Sequence, residues 1–315
     1  MMTCMNGTTV TTRTRKESNT VKPWIEILRP VNCILGALTI IIGMLNHQAN
    51  PVASAVFSST HGVILVMLGC GIYFITAGAS NTINDYFDIE IDRINRPERP
   101  IPRGAISKEG ALRYYLVLSA SSLVLSMIVG YWTPNQLFVP LFNGIFLFVG
   151  YFYAWKGKPS GFPGNIIVGI SFSFGMPFGA LFMIDILAIP SKVWFFFVTS
   201  SLLLISRELV KGMEDMEGDR QFKIKTVANT KGLKVASSMS IIFSILAIAS
   251  FTIPAFTLID SIFFMVFMII GNSAVVGSIA FLLKGHETKG NQSRSSLMLK
   301  LGAFSGLIAY MLAGF

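Results

Sequence analysis

The sequence predicts an all-α membrane protein with nine transmembrane helices, and three observations carry that reading. Hydrophobic residues make up 52% of the 315 positions and the mean hydropathy is +0.63, outside the usual range of a soluble domain. The apolar residues fall in long runs near the roughly 20 needed to cross a bilayer core, and the ~10-residue alternation of membrane barrel strands is absent. The basic residues sort onto alternate loops, as a bundle of nine spans requires.

Residues 1–24 are polar, Thr-rich and basic, with no apolar run of a signal peptide, and predict a tail. Residues 25–315 form the helical domain, with spans expected at 29–46, 62–84, 111–131, 136–155, 163–187, 192–212, 233–254, 258–284 and 297–315. Five Lys and Arg precede or open the first span and six separate the second from the third. Two separate the fourth from the fifth, seven lie around the end of the sixth and start of the seventh, and four lie around the end of the eighth and start of the ninth. Only Lys192 falls on the other side. The positive-inside rule then places the N-terminus and these loops in the cytoplasm of a multi-pass cell-membrane protein. Topology and anionic headgroups account for the net charge of +9, so membrane lipids, and no nucleic acid, are the expected partners. Cys4, Cys33 and Cys70 show no paired spacing and the three His are isolated, which argues against disulfides and Cys/His metal sites.

The second span runs into "SNTINDYFDIEIDRINRPERPIPRG" (80–104), where nine of 25 residues are charged. Asn81, Asp85, Asp88 and Asp92 follow helical spacing, as do Asn84, Asp88 and Asp92 at intervals of four, so one helix face carries several acids. Like charges so close repel. A divalent cation relieves that repulsion, and carboxylate and amide oxygens suit Mg²⁺, which also binds substrate phosphates. The sixth span runs into a second such stretch, "SRELVKGMEDMEGDRQFKIKT" (206–226), with Glu208, Lys211, Asp215 and Asp219 on one face. Of 16 acidic residues, five lie in 85–98 and five in 208–219, both on the cytoplasmic side. Two such ends facing each other could hold about two or three Mg²⁺ and a diphosphate, with Arg and Lys on the outer oxygens. The bland alternative is a pair of solvated helix ends with internal ion pairs such as Lys211–Asp215.

The pattern N-D-x-x-D-x-x-x-D (Asn84, Asp85, Asp88, Asp92), followed by "RPERPIPRG" and later "EDMEGDR", resembles the UbiA superfamily of intramembrane prenyltransferases. That resemblance implies one nine-helix bundle around a central cavity, its active site at the cytoplasmic side, an isoprenyl diphosphate donor, and Mg²⁺ held by both Asp motifs. Asn84, Asp88 and Asp92 match the first motif, Asp215 and Asp219 the second, and Asp85 joins the expected metal set; Asp88, Asp92, Asp215 and Asp219 are the expected catalytic groups. Arg99, Arg103 and Lys211 are expected on the diphosphate. So is a Lys closing the fourth span in "YFYAWKGKPSG", where Tyr153 and Lys156 stand at Y-x-x-K, relatives commonly carry Y-x-x-x-K, and Lys158 rivals Lys156. Tyr86, Phe87, Tyr151, Tyr153 and Trp155 are candidates to line an allylic cation. Arg29 and Asn32, spaced i, i+3 in "LRPVN", are expected to contact the acceptor.

Within the family, "INRPERPIPRGAIS" and "SRELVKGMEDMEGDR" are most similar to the archaeal members that join geranylgeranyl diphosphate to the hydroxyl of geranylgeranylglyceryl phosphate. The implied reaction forms the second ether bond of archaeal lipids, on a lipid-like phosphate acceptor. An aromatic or chlorophyllide acceptor is the alternative, because the "PIP-G-I" portion also resembles chlorophyll synthases. A transporter is disfavoured because the polar clusters sit at the membrane edge rather than near the midplane. Gly212 stands where archaeal members often carry Asp.

Overall fold

The computed structural model describes residues 21–47, 59–157, 160–221 and 224–313. Cys4, most of the predicted tail and Lys158 lie outside them. Among the described residues there are helices and no strands. In order they are α1 (Lys22–Glu26), α2 (Pro30–Leu45), α3 (Thr60–Phe87), α4 (Ile89–Asn95), α5 (Lys108–Gly130) and α6 (Phe138–Phe152), which widens into a π-turn at Tyr153–Gly157. There follow α7 (Phe162–Ser173), α8 (Gly175–Ala180), α9 (Ser191–Glu214), α10 (Met216–Gln221), α11 (Val227–Lys231), α12 (Leu233–Thr257), α13 (Ile262–Gly285) and α14 (Lys289–Leu312).

Among the described residues seven helices are long and apolar enough to cross a membrane: α3, α5, α6 with its π-turn, α9, α12, α13 and α14. Two of the nine predicted spans depart from that description. The first, α2, is apolar but only 16 residues long, about 24 Å at helical rise. The fifth is broken into α7 and α8 at Phe174. Pro177 has no amide proton, and its ring clashes with the carbonyl four residues back, which is that of Ser173, the last residue of α7. The ninth helix starts at Lys289 rather than near 297. Its first turns look polar, yet Gln292, Ser295 and Ser296 are buried, and Ser295 bonds Ser278 of α13 at 2.7 Å.

The helices close into a ring. α2 packs on α3 and α8, α3 on α5 and α6, α9 on α7, α12 and α14, and α14 returns to α2. Small side chains and buried hydroxyls set these contacts, as expected where lipid supplies no hydrophobic drive between helices. Gly43 of α2 lies so close to α8 that a Cβ there would stand 2.1 Å from the Met176 carbonyl. Asn143 of α6 reaches Ser122 of α5 at 2.8 Å, and Thr76 of α3 donates to Asn143 at 2.6 Å. Ser206 of α9 meets Ser240 and Ser244 of α12 at 2.8 and 2.9 Å.

The largest apolar cluster includes Met44, Leu65, Val129, Val139, Phe182, Phe196, Phe251, Phe264 and Tyr310. These residues come from the ends of the helices opposite the two acidic stretches. One end of the ring is therefore plugged by packed aromatics, and the two acidic stretches are left at the other.

Candidate active site

Both acidic stretches are built by the same backbone device. α3 stops at Phe87, Asp88 takes φ −85°, ψ 3°, and α4 begins at once. The amides of Asp88 and Asp92 still donate to Asn84 and Asp88 carbonyls at 2.9 and 2.8 Å, so the helical path continues and Asn84, Asp88 and Asp92 keep one face. α9 stops at Glu214, Asp215 takes φ −90°, ψ 3°, and α10 begins. The amides of Asp215 and Asp219 donate to Lys211 and Asp215 carbonyls at 3.0 and 2.9 Å. Asp88 and Asp215 thus occupy the sparsely populated bridge region that many active-site residues use.

The first motif is buried and the second is open. Asp85, Asp88 and Asp92 are 2%, 5% and 5% exposed, whereas Asp215 is exposed and Asp219 half-buried. Carboxylates buried this deeply need partners. Asn84 Nδ2 donates to Asp88 Oδ2 at 2.9 Å. Arg29 Nη2 pairs with Asp85 Oδ1. Arg99 Nη1 reaches Asp85 Oδ1 at 3.1 Å and Asp92 Oδ2 at 2.5 Å. Arg99 is positioned by the turn after α4, where Ile101 and Ile106 pack with Ile27, Ile89 and Ala111 under Trp24 and Tyr114.

Several predicted roles change in this geometry. Asp85 is not a free metal ligand, because two guanidiniums already share its carboxylate. Arg29 and Asn32 do not share a face: Arg29 caps α2 at φ 55°, ψ 63°, and this left-handed backbone turns its side chain to Asp85 while Asn32 is exposed. A left-handed non-glycine residue costs roughly 1 kcal/mol or more. Arg103 grips Glu26 with two 2.9 Å bonds and also donates to the Glu98 carbonyl. Lys156 is exposed and sits over the Trp155 ring at 4.1 Å. Tyr86 lies under the Lys108 ammonium at 4.9 Å, and Tyr151 stacks on Tyr115 with its edge to Phe87. Both rings belong to an aromatic patch between α3, α5 and α6 rather than to the carboxylate face.

Tyr153 is the exception. Half-buried on the π-turn, it lies within electrostatic range of the carboxylates of both Asp88, at the end of α3, and Glu208, near the end of α9. Glu208 was legible as part of the second acidic face. Its neighbour Arg207 was not: half-buried, it lies 3.4 Å from Glu208 through Nη1, and its buried Nε has no hydrogen-bond partner among the described residues. Lys211 is half-buried one turn before Asp215. Among the described residues no three His, Cys, Asp or Glu side chains stand close enough to form a closed metal cage. The donors that do converge are hard carboxylate and amide oxygens, which suit Mg²⁺ shared with a phosphate ligand better than a caged transition metal.

A multi-pass helical membrane protein with two acidic helix ends at the same end of a ring is the class this geometry defines. The chain belongs to the UbiA prenyltransferase family, whose model matches residues 37–303; it is an enzyme of prenyl transfer. It is 32% identical to a digeranylgeranylglyceryl phosphate synthase of Thermococcus kodakarensis over 93% of this chain and 98% of that one. A solved structure concerning digeranylgeranylglyceryl phosphate synthase in membranes superposes with a TM-score of 0.75 at 29% identity, covering 93% of this chain and 98% of that one. A UbiA homologue from Archaeoglobus fulgidus, solved with DMAPP and Mg²⁺, shares the fold at a TM-score of 0.62 and 16% identity, over 90% and 98% of the two chains.

Proposed function

We propose that this chain transfers a geranylgeranyl group from geranylgeranyl diphosphate to the hydroxyl of geranylgeranylglyceryl phosphate, with Mg²⁺, making the second ether bond of an archaeal lipid. Similarity to the synthase of Thermococcus kodakarensis over nearly its whole length supports the substrates. The single structural observation behind the site is that Asp88 of the first motif and Glu208 beside the second both lie within electrostatic range of Tyr153.

In this reading Asn84, Asp88, Asp92, Asp215 and Asp219 hold Mg²⁺, which when bound neutralises the departing diphosphate as a Lewis acid. Arg207 and Lys211, on the helix that carries the second motif, bind the outer phosphate oxygens in place of Arg103 and Lys156. The Tyr153 ring lines the path of the allylic carbon, and the aromatic plug at the far end of the ring keeps water from it. α2 and the α7–α8 pair complete nine passages through the cell membrane, with the N-terminus and both motifs in the cytoplasm.

The test supplies purified protein in vesicles with labelled geranylgeranyl diphosphate and a panel of acceptors, with and without a chelator. Mg²⁺-dependent product on geranylgeranylglyceryl phosphate alone is the expected result. Product on an aromatic acid or chlorophyllide, with none on the glycerol phosphate, would replace the acceptor and keep the chemistry.

A further inference from the structure

Arg99 stands between two buried carboxylates and makes both contacts with one nitrogen. Nη1 is 2.5 Å from Asp92 Oδ2 and 3.1 Å from Asp85 Oδ1, with side-chain exposures of 14%, 6% and 3% for Arg99, Asp92 and Asp85. Arg29, 29% exposed, closes the chain on the far side of Asp85. The four formal charges cancel, which is the condition under which such a cluster tolerates burial.

The two ends of this cluster are not equivalent. Asp92 lies one helical turn beyond Asp88 on the metal-facing side of α4, and its carboxylate is the one a cation must use. Asp85 lies three residues before Asp88, 2% exposed, with two arginines already on its carboxylate. A guanidinium and a divalent cation cannot share one buried carboxylate oxygen without strong repulsion, because low dielectric amplifies it. Arg99 therefore has to leave Asp92 for a cation to bind there, and Asp85 gives it somewhere to stay. Its backbone is fixed by the turn that follows, where the Arg103 amide bonds the Arg99 carbonyl at 3.1 Å and the Ala105 amide bonds that of Pro100 at 2.9 Å. Only the side chain is left to move.

We propose that Arg99 is an internal counter-cation competing with the divalent cation for Asp92, and that Asp85 is its anchor. Asp85 is then a positioning residue acting through Arg99, not a metal ligand. This rests on the Mg²⁺ reading of the first motif above. When Asp92 accepts a cation, Arg99 keeps its Asp85 contact and turns its remaining donors toward the incoming anion, so the charge that blocked the cation becomes one that attracts the diphosphate.

The test needs no prenyl substrate. Mn²⁺, a spectroscopically visible stand-in for Mg²⁺, is titrated into the purified full-length protein in detergent and followed by electron paramagnetic resonance. Four variants are compared with the native chain: Asp92→Asn, Arg99→Gln, Asp85→Asn and the Arg99→Gln/Asp85→Asn double. Asp92→Asn should weaken Mn²⁺ binding. Arg99→Gln should tighten it by about tenfold, because the competing charge is gone. Asp85→Asn should weaken it, because Arg99 then has only Asp92 to hold. The double should match Arg99→Gln alone, because Asp85 has no effect once Arg99 is absent. Arg99→Met, which keeps an apolar stem in place, serves as the companion variant and should shift binding in the same direction if Arg99→Gln does not fold.

An affinity unchanged or weakened by loss of Arg99, while Asp92→Asn still weakens binding, overturns the competition and leaves the metal reading intact. A double variant weaker than Arg99→Gln shows Asp85 to be a direct ligand and overturns its positioning role. Mn²⁺ binding indifferent to Asp92 overturns the metal reading of this motif together with the inference.

Discussion

Asp88 carries more of the proposed chemistry than any other side chain, because it belongs to the first motif, accepts from Asn84 at 2.9 Å and lies with Glu208 within electrostatic range of Tyr153. Asp88→Asn keeps the shape and removes the charge, so turnover should fall by about 10²-fold or more, the usual effect of losing one group from an electrostatic clamp. Rate measurements at saturating Mg²⁺ check this; near-native turnover would remove Asp88 from the metal set. Tyr153 allows a separate test of what its ring does. Cation–π support resides in the ring, so Tyr153→Phe should stay within about threefold of native, while Tyr153→Leu should lose about tenfold. Equal losses in both variants would show that the hydroxyl, not the ring, is what matters there.

Two helix contacts make opposite demands on glycine. At Gly43 a Cβ would stand 2.1 Å from the Met176 carbonyl and 2.9 Å from the Ala180 amide nitrogen, backbone atoms that cannot rotate away. Gly43→Ala should therefore separate α2 from α8 and destabilise the protein by about 1–3 kcal/mol, as overpacking does. At Gly212 the nearest atom to a new Cβ is the Thr226 Cβ at 3.5 Å, an ordinary contact. Gly212→Ala should stabilise the end of α9 by about 0.5–1 kcal/mol through helix propensity alone. Thermal unfolding in detergent compares the two, and a rise for Gly43→Ala would refute the close-packing argument. The contact between α1 and the loop after α4 is electrostatic instead. The Arg103 hydrogen bonds hold the Glu26 carboxyl below its usual 4.5. A carboxyl depressed in the folded state contributes stability above pH 4.5 and loses it as pH falls through the lowered value. Glu26 is more than a third exposed, so solvent screening keeps the contribution below about 1 kcal/mol. Glu26→Gln should accordingly lower the unfolding midpoint slightly at pH 7, an effect that fades as pH falls from 4.5 through the lowered value.

At the scale of the molecule, the two acidic motifs have to open on one side of the membrane for any shared chemistry. Single cysteines at Ser107 and Lys231, placed in a chain freed of its native cysteines, should both react with an impermeant thiol reagent from the cytoplasmic face of oriented vesicles. Opposite labelling of the two positions would break the shared site and the nine-passage topology together.

Hydropathy runs, sorted basic residues and two acidic stretches at helical spacing were enough to predict the helical membrane architecture and the registers of Asn84, Asp88 and Asp92 and of Asp215 and Asp219. Those features are local, because helix periodicity alone decides which residues share a face. The break between α7 and α8 was also encoded locally, in Pro177, but a hydropathy window averages over a single residue. The early start of α14 was hidden because Gln292 and Ser295 look solvated until a neighbouring helix covers them. The partners of Arg29, Arg99 and Arg103 were beyond sequence altogether. A long cationic side chain goes to whichever carboxylate the fold brings within reach, and that depends on a left-handed backbone at Arg29 and on a turn seated by Ile101 and Ile106. The residue types at the site could be read one helix at a time; which charge neutralises which was decided only when the helices closed into a ring.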